Sequence, residues 1–132
     1  MNGLRFSALA LALASGMAMA ADLALTGDAE VPPVKTMASG SGAITVAPDG
    51  AVSGSIKTTG VEATAAHIHM AASGKNGPVI VPLTKGDGGM FSVPAGAKLT
   101  DAQLKAYMAG ELYVNVHSAA NKNGEIRAQL KP

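Results

Sequence analysis

The sequence contains three histidines, and two of them lie two residues apart in a short apolar segment. His67 and His69 alternate with apolar residues, and a β-strand with this pattern would point both imidazoles to one face. His117 ends a second alternating segment, over residues 112–117. Imidazoles that share a face are typical ligands of zinc and copper. The three histidines are therefore candidate metal ligands.

Other polar residues are expected around these histidines. Asn115 shares the outward face of its predicted strand with His117, and Glu125 and Arg127 share the outward face of the last predicted strand. A ligating imidazole usually donates its second N–H to a carboxylate or a carbonyl, so these polar residues are candidates for the surroundings of the ligands. We also expect Arg127 and Glu125 to pair at the sheet surface, with the anchoring of a ligand carboxylate as the alternative.

A structural role for the histidines is the alternative to metal binding. Their rings could hydrogen-bond to loop backbones or to Glu125 and so hold the ends of the strands. Met70 and Met108 could supply a thioether to copper, although methionines among apolar residues usually fill gaps in a core. The sequence has no cysteine, which excludes a thiolate ligand and a thiol nucleophile. The order of serine, histidine and acidic residues in the sequence does not suggest a catalytic triad. We therefore expect a binding protein and not an enzyme.

Residues 1–20 are typical of a secretory signal peptide. A single arginine precedes an apolar run over residues 6–14, and small residues around Ala20 form a cleavage site. The apolar run is about half of the roughly 20 residues that a membrane span requires. Cleavage after Ala20 would leave residues 21–132 as one domain without a membrane span, in the periplasm or secreted from the cell.

The charge of the mature chain bears on its partners. The formal net charge of +1 falls to zero when the arginine of the signal peptide is removed, and neither sign forms a run. Nucleic acid and acidic membrane surfaces attract strongly basic proteins. We therefore expect neither of them as a partner.

The pattern of the mature chain predicts an all-β fold. Short apolar or alternating segments are separated by turn-forming Gly, Pro, Asn and Asp residues, as in antiparallel β proteins. Their inward faces would build a core that includes Ile68, Val114, Val116, Ile126 and Leu130. Eight strands are expected, at residues 23–26, 42–46, 51–56, 65–70, 79–83, 90–93, 112–117 and 125–130.

One segment, residues 100–109, has helical spacing instead. Leu104, Tyr107 and Met108 would form its apolar face. Thr100 begins a capping-box pattern, which marks the start of a helix. We therefore expect a short helix that is inserted before the last two strands and packs across one end of the domain.

Motifs along almost the whole mature chain have the order and composition of a known family. They are LTG at 25–27, EVPP at 30–33, AAHIH at 65–69, NGPV at 76–79, YVNVH at 113–117 and GEIRAQL at 124–130. The chain closely resembles the CHRD domain. This resemblance implies an antiparallel Greek-key or immunoglobulin-like β-sandwich with one short inserted helix, used as an extracellular module. It also implies that the strand of His117 lies within reach of His67 and His69.

Two functions remain open at this point. The first is an exported CHRD-domain binding module that holds one copper or zinc ion through His67, His69 and His117. Copper is favoured because nitrogen ligands generally bind divalent copper more tightly than zinc. The second is an adhesion or protein-interaction module, whose partner is another extracytoplasmic protein and whose histidines are structural.

Overall fold

The computed structural model describes residues 19–132 of the chain, so most of the predicted signal peptide, at residues 1–18, lies outside the described residues. Two antiparallel sheets and one helix make up this part of the chain. The predicted class, an all-β sandwich with one short inserted helix, is confirmed. The elements in chain order are β1 Met19–Leu25, β2 Ser39–Val46, β3 Val52–Thr59, β4 Ala63–Met70, β5 Val79–Pro82, β6 Thr84–Lys85, β7 Met90–Ser92, α1 Asp101–Met108, β8 Leu112–Ser118 and β9 Ile126–Leu130.

The two sheets divide the strands between them. The first has the order β1-β2-β3-β7-β6, and the second has the order β5-β4-β8-β9. The eight predicted strands all lie within or overlap observed ones, and the short β6 is an addition. The structure confirms that β4 pairs with β8, the arrangement that the family resemblance implied.

The core lies between the sheets and follows the predicted alternation. Every second residue of β4, β8 and β9 points inward, and the burial of these side chains supplies the main stabilising free energy of the domain. The five residues predicted for the core from these strands are all buried: Ile68, Val114, Val116, Ile126 and Leu130. Strands of the first sheet complete the core with Leu25, Ile44, Ile56 and Phe91.

Helix α1 forms where its sequence predicts, because its first turn is capped. The Thr100 side chain accepts a hydrogen bond from the Gln103 backbone, and the Gln103 side chain accepts one from the Thr100 backbone. Tyr107 is buried against the core, as expected. Met108 was predicted for the same apolar face, but it is 63% exposed. It lies one position beyond Tyr107 and therefore points about 100° away from it around the helix.

The outward face of the second sheet is covered, although the alternation of polar and apolar residues alone would leave it open to solvent. Tyr113, Asn115 and Arg127 point outward, and all three are buried. The loop that follows β1 runs along β9. Its first residue, Thr26, exchanges backbone hydrogen bonds with Arg127. The loop between β4 and β5 also contacts these outward side chains. The histidines therefore lie in a partly buried polar layer.

Candidate metal centre

The register of β4 against β8 brings the three histidines together. Across this pair His67 is opposite Asn115, His69 is opposite Tyr113, and His117 is opposite Ala65. All three imidazoles project to the outward face of the sheet. One nitrogen of each ring lies within 4.8 Å of the others, and His69 is buried while His67 and His117 are half-buried. The expected convergence of the three side chains is present in the structure.

Two backbone carbonyls determine which ring nitrogens carry hydrogen. His69 Nδ1 lies 2.9 Å from the Gly77 oxygen, and His117 Nδ1 lies 2.8 Å from the Lys122 oxygen. A carbonyl can only accept, so Nδ1 of each neutral ring is the donor. The Nε2 atoms of His69 and His117 therefore carry lone pairs. These are the atoms that a metal ion would bind.

The third ring is hydrogen-bonded inside the cluster. His67 Nδ1 lies 3.0 Å from His117 Nε2. Because His117 Nε2 has the lone pair, His67 Nδ1 donates in the metal-free protein. A metal would displace this proton, and a neutral His67 can carry it on Nε2 instead. The cluster can therefore present three nitrogen lone pairs at one point.

The surroundings of His67 and His69 favour the neutral form of the ring, which is the form that binds a metal. Burial, followed by the proximity of His117 and His69, lowers the pKa of His67. Burial is also the largest cause of the lowered pKa of His69, although the hydrogen bond to Gly77 acts in the opposite sense. Both rings are thus less readily protonated than an exposed histidine.

Gly77 links the His69 ring to Tyr113. The Gly77 N–H donates to the Tyr113 hydroxyl at 3.0 Å, while its carbonyl accepts from His69. A Cβ at this position would lie 1.9 Å from the Met70 backbone oxygen, so a side chain cannot be accommodated without moving the loop. The close approach of two backbone segments therefore requires glycine here and holds the carbonyl against His69.

Glu125 and Arg127 do not form the surface pair that their spacing suggested. Arg127 is 3% exposed and pairs at 2.8 Å with Glu30, which is equally buried. Its guanidinium also donates to the Lys75 oxygen and to the Asn76 side chain. The strand spacing predicted the correct face for Arg127. The carboxylate that pairs with it, however, comes from a loop more than 90 residues earlier in the chain, and this loop excludes solvent.

Glu125 holds a loop, and within residues 19–132 its side chain forms no hydrogen bond with a histidine. Its carboxylate accepts from Thr36 at 2.6 Å, from Ser118 at 2.7 Å and from Asn121 at 3.2 Å. These bonds lower the pKa of Glu125. The carbonyls of Gly77 and Lys122 accept the imidazole N–H groups in place of the carboxylate.

Asn115 is buried within the same layer as the histidines. Its amide nitrogen lies 3.5 Å from Glu30 Oε2 and 3.3 Å from the Asn123 oxygen. The two methionines considered as copper ligands lie elsewhere. Met70 packs against the hydrophobic core, and Met108 is exposed on α1.

Sequence reasoning missed Glu30 and Gly77 as residues of this site. Glu30 stands in the EVPP motif, and Gly77 stands in the NGPV motif. Both motifs supported the family resemblance, but neither has a spacing that predicts contact with Arg127 or His69. The resemblance of these two loop motifs to the family was the signal that could have identified Glu30 and Gly77.

The fold and the site define a small antiparallel β-sandwich module with a half-buried cluster of three histidines. The chain matches the CHRD domain over residues 22–130, and it therefore belongs to the CHRD domain family. No curated protein and no solved structure matches it. Within residues 19–132, no helix is long and apolar enough to cross a membrane.

Proposed function

We propose that this protein is an exported, non-enzymatic binding module that holds one copper or zinc ion through His67, His69 and His117. The observation that supports this proposal is the placement of three imidazole nitrogens within 4.8 Å of one another. A strand pair and two loop carbonyls hold the rings there. Sites of this donor type bind divalent copper and zinc.

The spacing of the nitrogens fits a metal ion. Two nitrogens bound to a tetrahedral ion at about 2.0–2.1 Å lie about 3.4 Å apart. The distance between His67 Nδ1 and His117 Nε2 is 3.0 Å, close to this value. The lone pair of His69 Nε2 has no hydrogen-bond partner, so a metal would compete with nothing there. The three nitrogens lie within 4.8 Å of one another, so the rings would have to move closer together to share one ion.

Copper is favoured over zinc by the chemistry of the donors. The three ligands are nitrogens, and divalent copper binds such sites more tightly than zinc. Glu30 neutralises the charge of Arg127. This buried pair therefore leaves no unpaired positive charge that would repel a divalent metal ion. Storage or delivery of the ion outside the cytoplasm would need no further catalytic group.

The second candidate function is an adhesion or protein-interaction module with structural histidines. One observation favours it, namely that each ring already makes a hydrogen bond without a metal. His67 bonds to His117, and the other two rings bond to backbone carbonyls. These bonds would tie β4 and β8 to the neighbouring loops whether or not an ion binds.

Calorimetric titration of tag-free mature protein with Cu(II) and with Zn(II) tests the proposal. Wild type should bind one ion per chain. His67→Ala and His117→Ala should each weaken binding by at least about tenfold, since even residues outside the ligand set commonly change metal affinity by 10–100-fold. Lys57→Ala is the matched control, because this exposed lysine lies on the other sheet. Equally weak binding by wild type and the histidine variants would instead support the structural role.

A further inference from the structure

Two buried polar atoms beside the histidine cluster have no hydrogen-bond partner among the described residues. They are His69 Nε2 and Asn115 Oδ1. His69 is 7% exposed and Asn115 is 1% exposed, so bulk water does not satisfy either atom. Buried polar atoms are almost always paired, and leaving one unpaired costs about 1–3 kcal/mol. His69 Nε2 and Asn115 Oδ1 are therefore candidate atoms for binding a ligand.

The hydrogen bonds of the Asn115 amide determine where its oxygen lies. The nitrogen lies near two acceptors, Glu30 Oε2 and the Asn123 carbonyl. A flipped amide would place an oxygen against both of these acceptors, so the nitrogen faces them and Oδ1 lies on the other side of the carboxamide. Gly124 leaves room for this arrangement, because a Cβ there would lie 2.4 Å from Glu30 Oε2 and 2.5 Å from Asn115 Nδ2.

The side chain of Asn115 lies on the same face of the sheet as the histidines. Asn115 lies directly opposite His67 in the β4–β8 register, and opposite residues share a face. His69 is the next outward-facing residue of β4 after His67. Gly77 occupies Nδ1 of the His69 ring, so the unpaired ring atom is Nε2. The two unpaired atoms therefore belong to neighbouring strands and to the same buried layer.

A buried lone pair without a partner is costly, and a cation bound by both atoms would satisfy the two lone pairs together. His69 carries its hydrogen on Nδ1, so its Nε2 cannot donate to the amide oxygen. We infer that Asn115 Oδ1 is the fourth ligand of the ion held by the three histidines, and that this oxygen selects divalent Cu(II) or Zn(II) over Cu(I). The inference rests on the proposed function and adds to it the ligand that makes the site prefer a divalent ion.

The selectivity follows from the hardness of the donors. An amide oxygen is a hard ligand that suits divalent ions, whereas Cu(I) prefers thiolates and thioethers. The sequence has no cysteine. Met70, the methionine next to His69 in the sequence, packs against the core on the other side of the sheet. The donor set is thus three imidazoles and one oxygen, with no sulfur.

Asn115→Leu tests the inference, because it removes the oxygen and keeps the approximate size of the side chain. We expect this variant to bind Cu(II) and Zn(II) at least about tenfold more weakly than wild type, with Cu(I) affinity changed by less than about threefold. Asn123→Leu is the matched control, since this exposed asparagine contributes only its backbone oxygen to the network. Circular dichroism reports whether each variant is folded.

A crystal structure of the zinc-loaded wild type decides the question even if Asn115→Leu does not fold. We expect Oδ1 within about 2.0–2.2 Å of the zinc ion. Zinc held by the histidines with Oδ1 outside bonding distance would overturn this inference and leave the proposed function intact. Wild type that binds no metal would overturn both.

Discussion

The imidazole ring of His69 lies parallel to the phenol ring of Tyr113, with 4.8 Å between their centroids and 2° between their planes. The guanidinium carbon of Arg127 lies 3.9 Å from the centroid of the same phenol ring. Because β8 runs between β4 and β9, Tyr113 lies between the two groups. Stacking of this kind adds to the stabilisation from area burial. The phenol ring thus connects the histidine cluster to the buried ion pair.

Replacement of Tyr113 should separate the role of its ring from that of its hydroxyl. Tyr113→Phe keeps the stack and removes the acceptor of the Gly77 N–H, which should lower the free energy of unfolding by about 0.5–1.5 kcal/mol. Tyr113→Ala also removes the ring, and should cost about 3–5 kcal/mol. Urea denaturation of the metal-free proteins measures both values. Equal losses in the two variants would show that the ring contributes little.

The buried pair of Arg127 and Glu30 should behave differently from a surface ion pair. Arg127→Met leaves the Glu30 charge buried without its partner, so it should lower the free energy of unfolding by about 3–5 kcal/mol. The double variant Glu30→Leu/Arg127→Met should lose less than Arg127→Met alone, because no charge is left unpaired. Denaturant titrations measure each variant.

The control for this pair is Lys57→Met, at an exposed position on the other sheet, which should change stability by no more than about 0.5 kcal/mol. A surface ion pair would contribute only about 0–1 kcal/mol. A loss in that range for Arg127→Met would contradict the buried arrangement.

The affinity for metal should depend on pH in one direction. Protons and metal compete for the same nitrogen lone pairs, so affinity should decline as the pH falls below about 6.5, the ordinary pKa of histidine. Burial lowers the pKa of His67 and of His69, so the loss of affinity should begin below this ordinary value. Zn(II) calorimetry between about pH 5 and pH 8 measures this profile. A decline as steep above pH 7 as below pH 6 would refute it.

Export should yield a chain that begins near Ala21. The predicted cleavage after Ala20 leaves Leu23 and Leu25, the buried residues of β1, in the mature domain. Intact-mass measurement of protein from the extracytoplasmic fraction gives the first residue directly. A chain that retains Met1 in that fraction would show that the N-terminal segment is not a cleaved signal peptide.

Much of the fold could be predicted from the sequence because strand and helix patterns are local. The alternation around Ile68, Val114 and Ile126 assigned each side chain to a face, since the period of a strand is two residues. The capping box at Thr100 placed the start of α1 for a similarly local reason. The same alternation put His67 and His69 on one face, and family resemblance supplied the neighbouring strand of His117.

Only the tertiary structure decided what covers that face and how the rings are bonded. The alternation placed Arg127 on the outward face, but it could not show that Glu30, 97 residues earlier, would bury it there. Nor could it show that the Gly77 and Lys122 carbonyls, and not Glu125, would orient the imidazoles. These contacts depend on the paths of loops between distant strands. Loop paths follow from the packing of the whole domain, whereas periodicity in the sequence reports only which side of its own strand a residue occupies.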